Sequence, residues 1–205
     1  MAILNNRNTC SKLICWLCFS VGMASVNATP ACLIVPAFFV GKSAQVQDMD
    51  EVAVNFPREL AQKLQDKTTS VVSFHAELPS FDPLSKEPAA KALQQLSAQY
   101  QCPYLLVGEI KAAGVFTESL WFGLWDRKWR NFTVATKLLD SRTLKTVSQH
   151  EYAQNVKGDA SPGRQLNFGG SGFLTHPYGR IVMETLNDTV EAVYADLRKL
   201  DDKAK

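Results

Sequence analysis

Three patterns of apolar residues run along the chain: unbroken runs, repeats every third or fourth residue, and strict alternation. Each predicts a different element. Leu33 to Val40 (LIVPAFFV) is unbroken and followed by turn chemistry, which suits a strand covered on both faces. Pro36 falls within it and cannot donate to a ladder, so regular pairing is expected to bulge or end there. Val52, Phe56, Leu60 and Leu64 then recur every four residues with Glu59, Gln62 and Lys63 between them, predicting an amphipathic helix with Pro57 in its first turn. Ser70 to Phe74 reads as a second strand. A Pro-punctuated loop from Pro79 to Pro88 leads into a second helix, with Pro88 as initiator and Ala89, Leu93, Leu96 and Tyr100 on one face. Tyr104 to Ile110 is the third strand. Strand, helix, strand, helix, strand is the order that builds a parallel sheet with right-handed crossovers.

After Gly114 the pattern changes. Phe132, Val134, Thr136 and Leu138 alternate with Thr133, Ala135 and Lys137, predicting a long half-exposed strand. Asp140 to Thr143 has turn composition and Val147 to Val156 returns as another strand, so the two form an antiparallel hairpin. A Gly-rich loop from Gly158 to Gly172 precedes a final helix from Pro177 to Leu200, with Ile181, Leu186, Val190, Val193, Tyr194 and Leu197 on its buried stripe and Thr175 as candidate N-cap. Asp201 to Lys205 is a charged end. The sum is an α/β fold: a single domain with an about five-stranded mixed sheet, parallel strands plus an antiparallel hairpin, packed with three helices.

The leading segment has the order of an export signal. Arg7 and Lys12 are basic, Leu13 to Val26 is apolar over 14 residues, and Val26-Asn27-Ala28 offers small residues at the positions a signal peptidase reads. Cleavage is expected after Ala28, giving a signal peptide over 1–28 and one domain over 29–205, located in the periplasm. The alternative, a retained membrane anchor, needs about 20 apolar residues, more than this run supplies. Thr29-Pro30-Ala31-Cys32 lacks the Leu of a lipid-attachment site. Of 22 basic residues Arg7 and Lys12 leave with the leader, which contains no acid, so 20 basic residues face 20 acidic ones. Formal neutrality removes the broad positive field of a nucleic-acid binder, and nucleic acid is not an expected partner.

Removal of the leader also changes the cysteine arithmetic. Cys10, Cys15 and Cys18 are lost and Cys32 and Cys102 remain, an even pair in an exported chain. Each lies one or two residues before a strand-like run, so parallel neighbouring strands would bring both to one edge of the sheet. Two readings fit: a disulfide, or two buried free thiols.

Little in the sequence points to catalysis. Gly41-Lys42-Ser43 resembles the tail of a phosphate-binding loop, but Pro36 stands where its first glycine belongs and Ala37 to Val40 continue the strand. His75, His150 and His176 have no partner at ligand spacing, and no Gly-x-Ser-x-Gly elbow occurs. No catalytic residue, cofactor or metal is therefore expected.

The most unusual stretch is Ser119 to Phe132 (SLWFGLWDRKWRNF). Three of the chain's four tryptophans, Trp121, Trp125 and Trp129, lie in it with Phe122, Arg127, Lys128 and Arg130. Aromatic rings interleaved with arginine are the composition of interface hot spots, and glycan or membrane-surface contact draws on the same side chains. As a partner-binding surface it would use Trp121, Phe122, Trp125, Arg127, Trp129 and Arg130. The competing reading is that the connection curls back and its rings cover an open face of the sheet.

The order of elements carries a resemblance. The first strand with Leu-Ile-Val-Pro-Ala-Phe, the helix ending in Tyr-Gln, Pro-Tyr-Leu-Leu-Val-Gly-Glu-Ile, the hairpin with Leu-Leu-Asp-Ser-Arg-Thr-Leu and the long last helix together look like the TolB N-terminal-like domain. Within that group, Thr175-His176-Pro177-Tyr178-Gly179-Arg180 leading into the final helix most resembles the middle domain of flagellar assembly protein T. The resemblance implies a non-enzymatic periplasmic protein that helps build the ring around the flagellar basal body at the outer membrane. Its partners would be envelope or flagellar ring proteins, with outer-membrane or peptidoglycan contact and self-association as further expectations. The alternatives are a regulator of envelope or peptidoglycan assembly, and a ligand-binding protein or enzyme with a cleft near the Gly158 to Gly172 loop.

Overall fold

The computed structural model describes residues 32–40, 52–76, 78, 88–122, 125–143, 145–158 and 168–203. The leader, the Gly41-Lys42-Ser43 segment, most of the Pro79 to Pro88 loop and the middle of the Gly158 to Gly172 loop lie outside them. The elements run β1 (Cys32–Pro36), β2 (Phe39–Val40), α1 (Val52–Lys67), β3 (Val71–His75), α2 (Pro88–Tyr100), β4 (Tyr104–Leu120), β5 (Trp125–Asp140), β6 (Lys145–Lys157), α3 (Ser171–Thr175) and α4 (Pro177–Lys203).

The mixed α/β architecture expected from the sequence is present. The strands form one sheet in the order β3-β1-β4-β5-β6, with β2 pairing separately on β4. β1 is parallel to β3 and β4, whereas β4, β5 and β6 form an antiparallel meander. The apolar run expected as one strand is split: pairing of β1 ends at Pro36, and the chain resumes as β2 after Ala37 and Phe38. Among the described residues this split and the five-residue α3 raise the counts to six strands and four helices.

Alternation along β1 explains why its run is apolar throughout. Leu33 and Val35 face a large core with α1 and α4, while Ile34 faces a smaller one with Leu93 and Leu96 of α2 and Leu105, Val107 and Cys102. The large core is built from the helical stripes read from the sequence: Val52, Phe56, Leu60 and Leu64 from α1, and Ile181, Leu186, Val190, Val193 and Leu197 from α4. Phe56 joins α1 to the sheet side of the core through tilted ring contacts with Phe38 and Phe132, 5.9 Å and 5.5 Å between centroids. Thr185 and Thr189 are buried in α4 without cost in unsatisfied hydroxyls, because each donates one turn back, to Ile181 O at 2.8 Å and Thr185 O at 2.7 Å.

Two local expectations are corrected. Pro57 lies in the second turn of α1, because the helix begins at Val52. The residue capping α4 is His176 rather than Thr175: its Nδ1 accepts from the Tyr178 N–H at 3.2 Å. Thr175 belongs to α3, where its hydroxyl donates to Ser171 O and Gly172 O. The α3–α4 corner is tight, since a Cβ on Gly179 would stand 1.8 Å from the Phe173 carbonyl oxygen.

The disulfide joins Cys32 at the start of β1 to Cys102 just before β4, with Cα atoms 4.9 Å apart. Because β1 and β4 are parallel neighbours, both cysteines fall at the same end of the sheet.

Candidate interaction surface

The aromatic stretch is neither a free connection nor a flap folded back on the sheet. β4 and β5 continue as a paired hairpin to Leu120 and Trp125, well beyond the ranges read from alternation alone. β6 pairs with β5 only as far as Trp129, opposite Lys157, and Gly158 N–H closes that end on Lys128 O at 2.9 Å. From Thr117 opposite Lys128 to Leu120 opposite Trp125 the described ladder is therefore two-stranded. Four paired residues at the usual strand rise make an arm of about 13 Å.

The register sorts the side chains. Lys111 is an extra residue in β4, where the pairing shifts between Ile110 and Ala112. Beyond it Phe116 and Glu118 stand opposite Trp129 and Arg127 on the sheet face that α2 shares, and the same alternation puts Trp125 on that face. The alternate residues of β5, Arg130, Phe132 and Val134, point to the face covered by α4.

Burial then divides the expected surface into two groups. Trp121 and Trp125 are 76 % and 70 % exposed, Phe122 is fully exposed, and Arg127 is exposed on the shank of the arm. Trp129 is half-buried at the base, stacked on Phe116 with centroids 6.4 Å apart and planes 11° from parallel, and its Nε1 donates to Glu118 Oε2 at 3.1 Å. Arg130 is only 2 % exposed, with its guanidinium carbon 5.2 Å from the Tyr178 ring centroid. Arg130 is thus a buried packing residue and not part of an exposed contact surface. The even-numbered side of β5 carries it inward. Trp129 and Arg130 are packed at the base of the arm, whereas Trp121, Phe122 and Trp125 are exposed at its end.

Trp121 and Phe122 also have left-handed backbones, φ 52° and 56°. Bulky residues avoid this region, at about 1–2 kcal/mol each for the close approach of Cβ to the following carbonyl. Glycine or asparagine is the relaxed choice in a hairpin turn.

The histidines occupy separate places. His75, on the edge strand β3, packs against Tyr100 with centroids 4.3 Å apart, and His176 caps α4. Burial, and then the nearby positive charge of Arg130, holds the His176 imidazole below its ordinary pKa. His150, on the opposite edge strand, lies 2.6 Å from the Asp196 carboxylate of α4. Nothing in the spacing of the sequence announces this last pair. Among the described residues no three His, Cys, Asp or Glu side chains are grouped so as to hold a metal ion.

A parallel three-strand half continued by an antiparallel meander, with helices on both faces and exposed aromatic residues near the end of a two-stranded hairpin arm, defines a mixed α/β domain. The flagellar assembly protein T middle-domain family model matches residues 31–168, and the chain belongs to that family. The match spans all six strands. Among solved structures, the hypothetical protein CT253 of Chlamydia trachomatis is similar at TM-score 0.57 with 14 % identity, covering 82 % of this chain and 98 % of that one. A PelC dodecamer from Paraburkholderia phytofirmans has TM-score 0.49 and 11 % identity over 83 % and 89 % of the two chains. Protein XCC0632 of Xanthomonas campestris has TM-score 0.49 and 8 % identity over 86 % and 92 %. No curated protein matches the sequence.

Proposed function

We propose that this chain is a non-enzymatic assembly protein of the bacterial periplasm that acts at the flagellar basal-body ring near the outer membrane, with the β4–β5 hairpin tip as its contact surface. Family membership supports the flagellar link. The observation that carries the contact role is the trio Trp121, Phe122 and Trp125, large apolar side chains left in solvent at the end of a two-stranded arm. Single exposed apolar residues are ordinary on protein surfaces, but a contiguous aromatic cluster marks an interaction site. The Cys32–Cys102 disulfide fits an oxidising compartment, in line with an export leader over 1–28.

Deleting the gene in the host and imaging isolated basal bodies tests the assignment. Loss or thinning of the outer-membrane-proximal ring, with motility restored by the wild-type gene, is the expected result. Intact rings and normal swimming in the deletion strain would overturn it.

A further inference from the structure

We propose that the hairpin tip docks into the interfacial layer of a phospholipid bilayer, an inference that rests on reading the hairpin as a contact surface and names what it contacts. Leu120 to Trp125 (LWFGLW) are six consecutive residues without a charge. Charge begins abruptly behind them: Asp126, Arg127 and Lys128 on β5 and Glu118 on β4, all exposed. Asp126 stands opposite Ser119 and Glu118 opposite Arg127, so the boundary crosses the two strands within one residue pair, which is the depth profile of an element that enters a membrane tip first. Tryptophan, with an apolar ring system and one N–H, favours the headgroup level, and phenylalanine suits the acyl boundary just below.

Leu120 and Trp125 are the last pair of the β4–β5 ladder, and the outward-facing peptide groups of this two-stranded arm need water or lipid headgroups, which sets the docking depth at the interfacial layer and not in the hydrocarbon core. The acids on the shank are also engaged: Glu118 accepts from Trp129, and Asp126 accepts from the Ser119 hydroxyl at 2.7 Å. Apart from indole N–H groups the six residues Leu120 to Trp125 carry no polar side chain, and a lipid interface requires none. Holding Trp121 and Phe122 at positive φ, where glycine would relax the turn, fits a role for the rings themselves.

Vesicle flotation tests the proposal with protein beginning at Thr29, which retains every described element, on vesicles of phosphatidylethanolamine with phosphatidylglycerol and on phosphatidylcholine alone. Binding to both is expected, with tryptophan emission shifted to the blue and quenched by brominated acyl chains. Combined Trp121→Ser, Phe122→Ser and Trp125→Ser substitution should lower partitioning at least about tenfold on both vesicles, with the circular dichroism spectrum unchanged. Arg127→Ser with Lys128→Ser should change it less than about threefold, because the insertion is apolar. Wild-type protein that ignores both vesicles, an aromatic variant that binds as well as wild type, or a basic-residue variant that loses binding just as strongly would each overturn it. If the aromatic variant disables ring assembly in cells while wild-type protein ignores vesicles, the contact reading stands and the lipid proposal falls.

Discussion

The backbone N–H of Phe38 donates to the carbonyl oxygen of Ala53 at 2.9 Å, and Ala53 is the residue whose carbonyl Pro57 leaves without a helical donor. A proline inside a helix removes the bond to the residue four back and crowds that carbonyl outward. Here the displaced carbonyl is taken up by the chain between β1 and β2. One contact therefore satisfies the helix and fixes the end of the first strand.

The usual gain from removing a helix proline should accordingly be missing. Pro57→Ala restores an N–H whose acceptor is already occupied and strips buried ring surface from the core. Stability should change by less than about 1 kcal/mol, against the roughly 3 kcal/mol penalty of an interior proline in an unassisted helix. Urea denaturation of the two proteins measures the difference.

The His150–Asp196 pair joins edge strand β6 to α4. Burial raises the Asp196 pKa, but the polar groups around it, the nearby Ser148 hydroxyl and the hydrogen-bonded His150 and Lys199, outweigh it, and the carboxyl sits below its ordinary value of 3.8. A lowered folded value means that stabilisation is complete above 3.8 and is lost as pH falls through the folded value. Asp196→Asn should therefore cost about 1–2 kcal/mol at neutral pH, the scale of a hydrogen-bonded buried charge. The gap to wild type should close below pH 3.8. Urea melts from neutral pH into acid follow it.

Closing a chain separation of 70 residues restricts the unfolded ensemble. In the chain-entropy account this is worth about 4 kcal/mol. Reduction, or Cys102→Ser, should lower the urea midpoint correspondingly, and alkylation without reductant should leave both thiols unmodified by mass.

Neighbouring positions of the aromatic stretch should behave in opposite ways. Trp121→Ser and Phe122→Ser remove exposed rings and should alter stability by no more than about 0.5 kcal/mol. Trp129→Ala loses its stack on Phe116 and should cost about 1–2 kcal/mol. Arg130→Ala empties a buried site against Tyr178 and should cost about 2 kcal/mol or more. Thermal melts of the four variants separate tip from base.

Periodicity made the helical stripes legible, because Val52, Phe56, Leu60 and Leu64, like Leu186, Val190, Val193 and Leu197, have one face to bury. The parallel half was legible in the same way, with Pro36 marking the end of β1. The extent of β4 and β5 was not. Beyond Val115 the arm has no covered face, so no alternation is imposed on Thr117 to Leu120 or on Trp125 to Lys128. Composition drew attention to the aromatic stretch, but the partition of Trp129 and Arg130 from Trp121 and Trp125 depends on where β6 ends. The His150–Asp196 contact, 46 residues apart in sequence, depends on α4 crossing the edge strand and leaves no local signature.

The contact role of the tip is tested most directly in cells in which Trp121→Ser, Phe122→Ser and Trp125→Ser replace the wild-type residues at equal protein level. Isolated basal bodies should lack the outer-membrane-proximal ring and swimming should be lost, although the protein is exported and folded. Complete rings and full motility in that strain would contradict a contact role for the hairpin tip.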